Sequence, residues 1–529
     1  MSGFSNPDGC GKFRDLEPGA LKPRTIHRLI VGEDSKVMQL ARAEAEKQLG
    51  DPFATLLLLK GTFPNTAGDI LAGLDKAAKA GDPLRERFFF FVGEATQIPA
   101  KERVARHVRF LVTTGRTGPG PEDGPDLMIS VFHPDSEDAE LMAWDRKAGG
   151  FNYYRTAIGS NGWIFAGNSR HALEPKSEFK GPFESHVSGN FLMKELKLPW
   201  VHWHSFSAPV TAATLPPDLR KHPWFVKKDP SGAATCELEV AIPSVKRWTK
   251  RRFERMLGTG GEVARPERVM RQVLRTDTVN LHSSETAAEA IDASGGVGLP
   301  PTFLVDADTL SGVLGLRFPP FLTVSSKVYR KTLKTFDVKL TDGDRFSRVG
   351  DTHFCFVVPE RALEDVETIR EAIRVGLFGE RFAASLLMVD FANPVFSPKR
   401  EKLLQYSPTS AKVTGGKSGF AAAMVKRILL ADVERSTENS AEREFAKRWA
   451  AGAKWRSEFN RVLENYYAGI EKTIATQAGF DGVFRVAETR RRDVSDRTPL
   501  VESPLLFATT NIPAGRRMRM RFDGTAAAV

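Results

Sequence analysis

The sequence predicts a multi-domain α+β protein, with mixed α/β segments, an antiparallel meander in the N-terminal half and a long amphipathic helix near the C-terminus. Five short runs rich in β-branched and aromatic residues follow one another between Val108 and Ala166, separated by turn residues. Apolar residues recur at three- and four-residue steps from Phe445 to Ile474, the period of a helix with one buried face. Elsewhere, apolar runs of strand length alternate with segments of helical period, as in α/β units. The 529 residues suffice for roughly two to four cores, and the expected divisions are 1–107, 108–215, 216–410 and 411–529.

In the first division, Ser35 to Leu49 reads as a helix ending at Gly50. The apolar run Ala54–Leu59, a helix through Ile70–Ala78 and the run Phe88–Val92 follow as strand, helix and strand. The meander strands are Val108–Val112, Leu127–Phe132, Glu140–Trp144, Phe151–Arg155 and Gly162–Ala166. The spacer Thr117-Gly-Pro-Gly-Pro-Glu-Asp-Gly-Pro125 suits neither a helix nor a central strand and is expected as an exposed loop. Trp144, Trp163 and one of Tyr153 and Tyr154, which point to opposite faces if extended, are expected in core packing or as a pocket wall.

Further on, Cys236–Ile242 reads as a strand and Val245–Leu257 as a basic helix, with glycine loops at Gly258 and Ser294–Gly298. Thr302–Asp306, Phe321–Ser325, His353–Val358 and Leu386–Asp390 read as strands, with helices near Leu310 and Tyr329 between them. The stripe Phe445, Trp449, Trp455, Phe459, Val462, Tyr466, Ile470 and Ile474 reads as one helix on the order of 55 Å long, bridged at Gly452. A stripe of that length predicts packing between domains or a homo-oligomer through the 440–478 helix. The tail beyond Arg492 is expected to wrap back over the body, anchored near Ser503.

Composition sets outer limits. The apolar runs are too short to span a bilayer, the start lacks the pattern of a signal peptide, and the chain reads as cytoplasmic with no membrane partner. Cys10, Cys236 and Cys355 are too scattered for a disulfide framework or a zinc finger. The net charge of +11 is concentrated late, with 21 Lys and Arg against 14 Asp and Glu from Ala411 onward. Arg490–Arg492 and Arg516–Arg521 are the densest clusters, suited to an acidic protein, to nucleic acid or to internal salt bridges.

The densest chemistry falls between Gly181 and Ser205, which holds three of the ten histidines. His202 and His204 share a face if extended, and Pro199 ends the helix before them. Glu184 and His186 show the same spacing, and His171 lies close upstream. His186, His202 and His204 are the expected metal ligands, for iron, copper or zinc, with Glu184 and His171 as catalytic residues. An alternative uses one histidine as a general base oriented by Glu184, and another has the imidazoles bracing loops. An aromatic shell favours a metal-dependent oxidoreductase acting on a small or apolar organic substrate over a hydrolase. The rival is a non-catalytic binding or assembly protein that uses the basic C-terminal surface.

Other motifs fall short. No Gly-x-Ser-x-Gly occurs, so Ser169 is not read as a nucleophile, and no glycine cluster fits a dinucleotide fingerprint. Asp351, His353 and Cys355 alternate on one expected strand, where the cysteine reads mainly as a small buried hydrophobe. Ala411-Lys-Val-Thr-Gly-Gly-Lys-Ser418 misses a phosphate-binding loop by its first glycine and reads as a linker before a helix.

Overall fold

Successive side chains of a strand point to opposite faces, and the meander uses both faces for burial. The computed structural model describes residues 21–94, 107–115, 124–157, 160–191, 215–228, 230–282, 295–319, 321–342, 346–349, 358–435, 437–495 and 509–529. Its fold is mixed α+β, in two compact units that meet in sequence between Arg252 and Phe253. No helix among the described residues is long and apolar enough to cross a membrane.

The first unit is built on β1 (Ile26–Arg28), β2 (Met38–Gln39), β3 (Arg87–Glu94), β4 (His107–Thr114), β5 (Leu127–Val131), β6 (Ala139–Asp145), β7 (Gly150–Ala157) and β8 (Gly162–Asn168). They form one sheet in the order β2-β1-β8-β7-β6-β5-β4-β3. From β3 to β8 every neighbour is antiparallel and sequential, the predicted meander, while β1 joins β8 in parallel. The expected boundary at residue 107 falls between β3 and β4, which pair along their length.

One face packs Phe110, Ile129, Leu141 and Tyr154 against Phe53, Ile70 and Leu74; the other packs Met142, Trp144 and Tyr153 against Phe183, Val240 and Trp248. The two adjacent tyrosines do take opposite faces, and the register against β8 shifts between them. Each such aromatic contributes about 1.5–3 kcal/mol by leaving water. The sheet is therefore the middle layer of its unit.

Two runs expected as strands here are helical. Asp51 caps a helix at Pro52–Leu56, its carboxylate accepting from the Ala54 N–H at 3.0 Å with proline at the first position. That start signal outweighs the β-like look of Ala54–Leu59. Cys236–Ile242 continues through a π-turn at Glu237–Ala241 into the helix Ile242–Met256. Buried Cys236, Val240, Val245 and Trp248 follow a helical step stretched by that one extra residue.

The second unit has a helical core carrying small sheets. Val279–His282 pairs with Val358–Arg361, and Gly296–Leu299, expected as a loop, pairs with Leu322–Ser325. Thr302–Asp306 is helical over Pro301–Leu304, started by proline, and Leu386–Asp390 closes the helix Glu380–Leu387. The near-match to a phosphate loop is a hairpin and not a linker: Thr414 pairs with Lys417 across Gly415 and Gly416, at φ 58° and 71°. Those angles are what a two-residue hairpin turn requires of glycine. The helix Phe420–Arg435 follows, as expected.

The C-terminal stripe holds as packing, but it spans two helices. Ala441–Trp449 and the 20-residue amphipathic helix Trp455–Ile474 are separated by a short turn at Gly452, which sits at φ 58°. Phe445, Trp455, Phe459, Tyr466 and Ile470 are buried in the core of their own unit. A third helix, Gln477–Ser495, follows. Asp351, His353 and Cys355, expected on a strand, residues 117–123 of the expected loop and the expected anchor near Ser503 lie outside the described residues.

Candidate acid–base site

The histidine segment of the first unit is only partly described: His202 and His204 lie outside the described residues. His171 and Glu184 sit on the short 3-10 turns His171–Leu173 and Gly181–Glu184, and His186 immediately precedes a third, Val187–Gly189. Buried His186 lies against the Tyr153 ring, with its Nδ1 3.2 Å from the Asn190 carbonyl. Burial pushes its imidazole down to about 4, so the ring is neutral at pH 7. With Nδ1–H donating to that carbonyl, the lone pair is on Nε2. His171 is arranged the other way. Its Nδ1 accepts from the Asn168 N–H at 3.0 Å, which leaves the proton on Nε2, 3.9 Å from Glu33. Glu184 accepts from the Gly181 N–H at 3.2 Å, closing its own turn. Among the described residues no group of three or more His, Cys, Asp and Glu could hold a metal ion.

Ser169 is a buried latch, accepting from the Phe151 N–H at 2.9 Å and donating to the Gly189 carbonyl at 2.7 Å. The basic cluster at Arg490 turns inward. Arg490 donates to the carbonyls of Phe303 and Ala392, and Arg491 pairs with Glu488 at 2.9 Å. Arg516, Arg517, Arg519 and Arg521 are exposed around the strand Met518–Met520, Arg517 pairing with Asp493. Trp144, Trp163, Tyr153 and Tyr154 belong to the cores. Trp144 also lines a cavity of about 650 Å³, and Phe88, Phe89, Phe90 and Trp224 line another of about 670 Å³.

A further set of interacting titratable groups lies in the second unit and was not read from the sequence. The strands Val279–His282 and Val358–Arg361 pair Asn280 with Glu360 and His282 with Val358. That register puts His282 and Glu360 on one face as diagonal neighbours. The His282 Nδ1 lies 3.1 Å from the Glu360 carboxylate; the imidazole is 28 % exposed and the carboxylate 5 %. Next to them is the turn Ala307–Leu310, capped by Asp306, whose carboxylate accepts from the Thr309 N–H at 3.4 Å. Asp306 is also ion-paired with buried Arg361, which donates in turn to the Gln272 carbonyl at 3.2 Å. Asp308 is solvent-accessible at the edge of this group. Surrounding protein pushes its carboxyl up to about 7, helped by repulsion from Glu360 and Asp306 and opposed by His282.

No family model matches the chain, and no curated protein or solved structure matches it at a significant level.

The arrangement has the parts of a proton-transfer site. A buried carboxylate accepting from Nδ1–H fixes the neutral tautomer of His282 and leaves Nε2 as the basic nitrogen. A carboxyl poised near neutrality beside it can donate a proton that an ordinary aspartate would already have lost. An imidazole oriented by a carboxylate, with a second carboxyl close by, supplies the residue types of a base and an acid.

Proposed function

We propose that the chain is an enzyme working by general acid–base chemistry on a polar small molecule, from a site in the second unit. His282 is the base, Glu360 orients it, and Asp308 is the acid. The observation that carries this reading is the part-exposed His282 held at 3.1 Å by the buried Glu360 carboxylate beside Asp308. Proton transfer by positioned side chains is worth roughly 100-fold to 10,000-fold in rate, so His282→Gln is expected to lower turnover by roughly 100-fold or more. Asp308→Asn is expected to remove the limb of the pH profile on which the acid titrates. Equal turnover by His282→Gln and the unmodified chain would overturn the assignment.

A second reading keeps the chemistry expected of the histidine segment: metal-dependent oxidation of a small or apolar organic substrate, with iron, copper or zinc held by His186, His202 and His204. Neutral His186, with Nδ1 anchored on a backbone carbonyl, has the protonation and second-shell support of a metal-ligating imidazole. His171, whose Nδ1 is engaged by the Asn168 N–H, would act from outside the ligand set, beside Glu184. Elemental analysis of untagged protein tests it. Near-stoichiometric metal lost in a His202→Ala/His204→Ala variant supports it, and protein that neither contains nor takes up a metal contradicts it. We place either reaction in the cytoplasm, where three scattered cysteines would remain thiols.

A further inference from the structure

Charge also gathers around a hollow in the first unit. A cavity of about 650 Å³, a size that suits a small-molecule ligand, is lined by Thr55, Asp126, Trp144, Arg146, Arg247 and Arg251 among others. Arg247 and Arg251 stand four residues apart on the helix Ile242–Met256 and so share one face of it. Trp144 lies on β6, and Arg146 starts the turn that joins β6 to β7.

Arg247 is fixed in place. Its Nη2 is 3.0 Å from Asp126, its Nη1 donates to the carbonyls of Gly124 at 2.9 Å and Pro125 at 3.3 Å, and its guanidinium lies 4.2 Å over the Trp144 ring. Both Arg247 and Asp126 are buried. Arg146, 74 % exposed, reaches the other carboxylate oxygen of Asp126 at 2.6 Å. One carboxylate thus serves two guanidiniums. The other acid in the lining, Asp82, accepts from the Leu84 N–H at 2.9 Å as a cap. Among the described residues, three arginines and two aspartates line the cavity, one more guanidinium than carboxylate. Guanidiniums present forked donors that match the paired oxygens of phosphates and carboxylates.

We propose that this cavity binds a small molecule through a phosphate or carboxylate group, with Arg146 and Arg251 contacting the anion at the rim over the fixed positive charge of Arg247. The cavity is built from residues of the first unit alone, and its test does not depend on turnover. The experiment is calorimetric titration of the full chain with inorganic phosphate and, separately, with malonate. At least one is expected to bind with a dissociation constant in the millimolar range or below, and the anion that binds identifies the group recognised. Because Arg146 and Arg251 are both exposed, the Arg146→Ala/Arg251→Ala variant should keep its thermal melting profile while binding weakens by roughly tenfold or more. Arg42→Ala, which removes an exposed arginine paired with Glu46 and outside the cavity lining, should leave binding unchanged. Failure of both anions to bind, equal binding by the double variant, or equal weakening by Arg42→Ala would overturn the proposal.

Discussion

At the scale of single residues, burial decides what each ionisable group can do. His186 is the sharpest case: the unfolded imidazole titrates near its ordinary 6.5, and the folded one only near about 4. A folded pKa below the unfolded one gives stability that is present above pH 6.5 and lost as pH falls through 4. Urea unfolding should therefore show the stability gap between the unmodified chain and His186→Gln narrowing by about 3 kcal/mol from pH 7 to below pH 4. A gap that does not change with pH would contradict the buried, neutral ring. The sequence marked His186 as chemically notable from its neighbours, but the tautomer, burial and partner follow from the turn around it. His282 and Glu360 gave no such sign. They stand 78 positions apart, each in an ordinary-looking strand, and meet only through strand register. Asp306 read as the end of a strand, and it instead caps the turn Ala307–Leu310.

At the scale of elements, the legible parts were those with a long periodic signal. All five meander strands lie where runs rich in β-branched and aromatic residues, bounded by turn residues, place them. Short continuous apolar runs carry no period, and four of them, at Ala54, Cys236, Thr302 and Leu386, proved helical or helix-terminal. A capping aspartate or a proline, visible in the sequence, marks the helix start at Ala54 and Thr302. At Cys236 and Leu386 the deciding factor is burial on helical spacing, which exists only in the packed structure. Gly452 is a case where the sign of an effect separates two structures. In a continuous helix Gly452→Ala would stabilise by about 1 kcal/mol. At φ 58°, with open space around the missing side chain, it should instead destabilise by roughly 1 kcal/mol from backbone strain alone. Thermal denaturation of the single variant decides it.

At the scale of the whole molecule, each unit has its own core and its own concentration of charge. The first builds a two-faced sheet with a cavity lined by arginines; the second builds a helical core that brings two short strands together under an acidic turn. The late excess of positive charge suits an anionic macromolecule, a solvated face or internal salt bridges in the sequence. Two of those arginines, Arg490 and Arg491, satisfy carbonyls and Glu488 inside the second unit. Charge counts cannot separate those outcomes, because a buried arginine and an exposed one contribute equally to the sum. The proposed proton transfer needs His282 and Glu360 to act together. It is tested most directly by incubating the full chain, His282→Gln and Glu360→Gln with a mixture of polar metabolites and following substrate loss by mass spectrometry. A compound consumed by the unmodified chain and, within the same time, by neither variant is expected; consumption that proceeds equally in all three, or no consumption by any, would overturn the assignment.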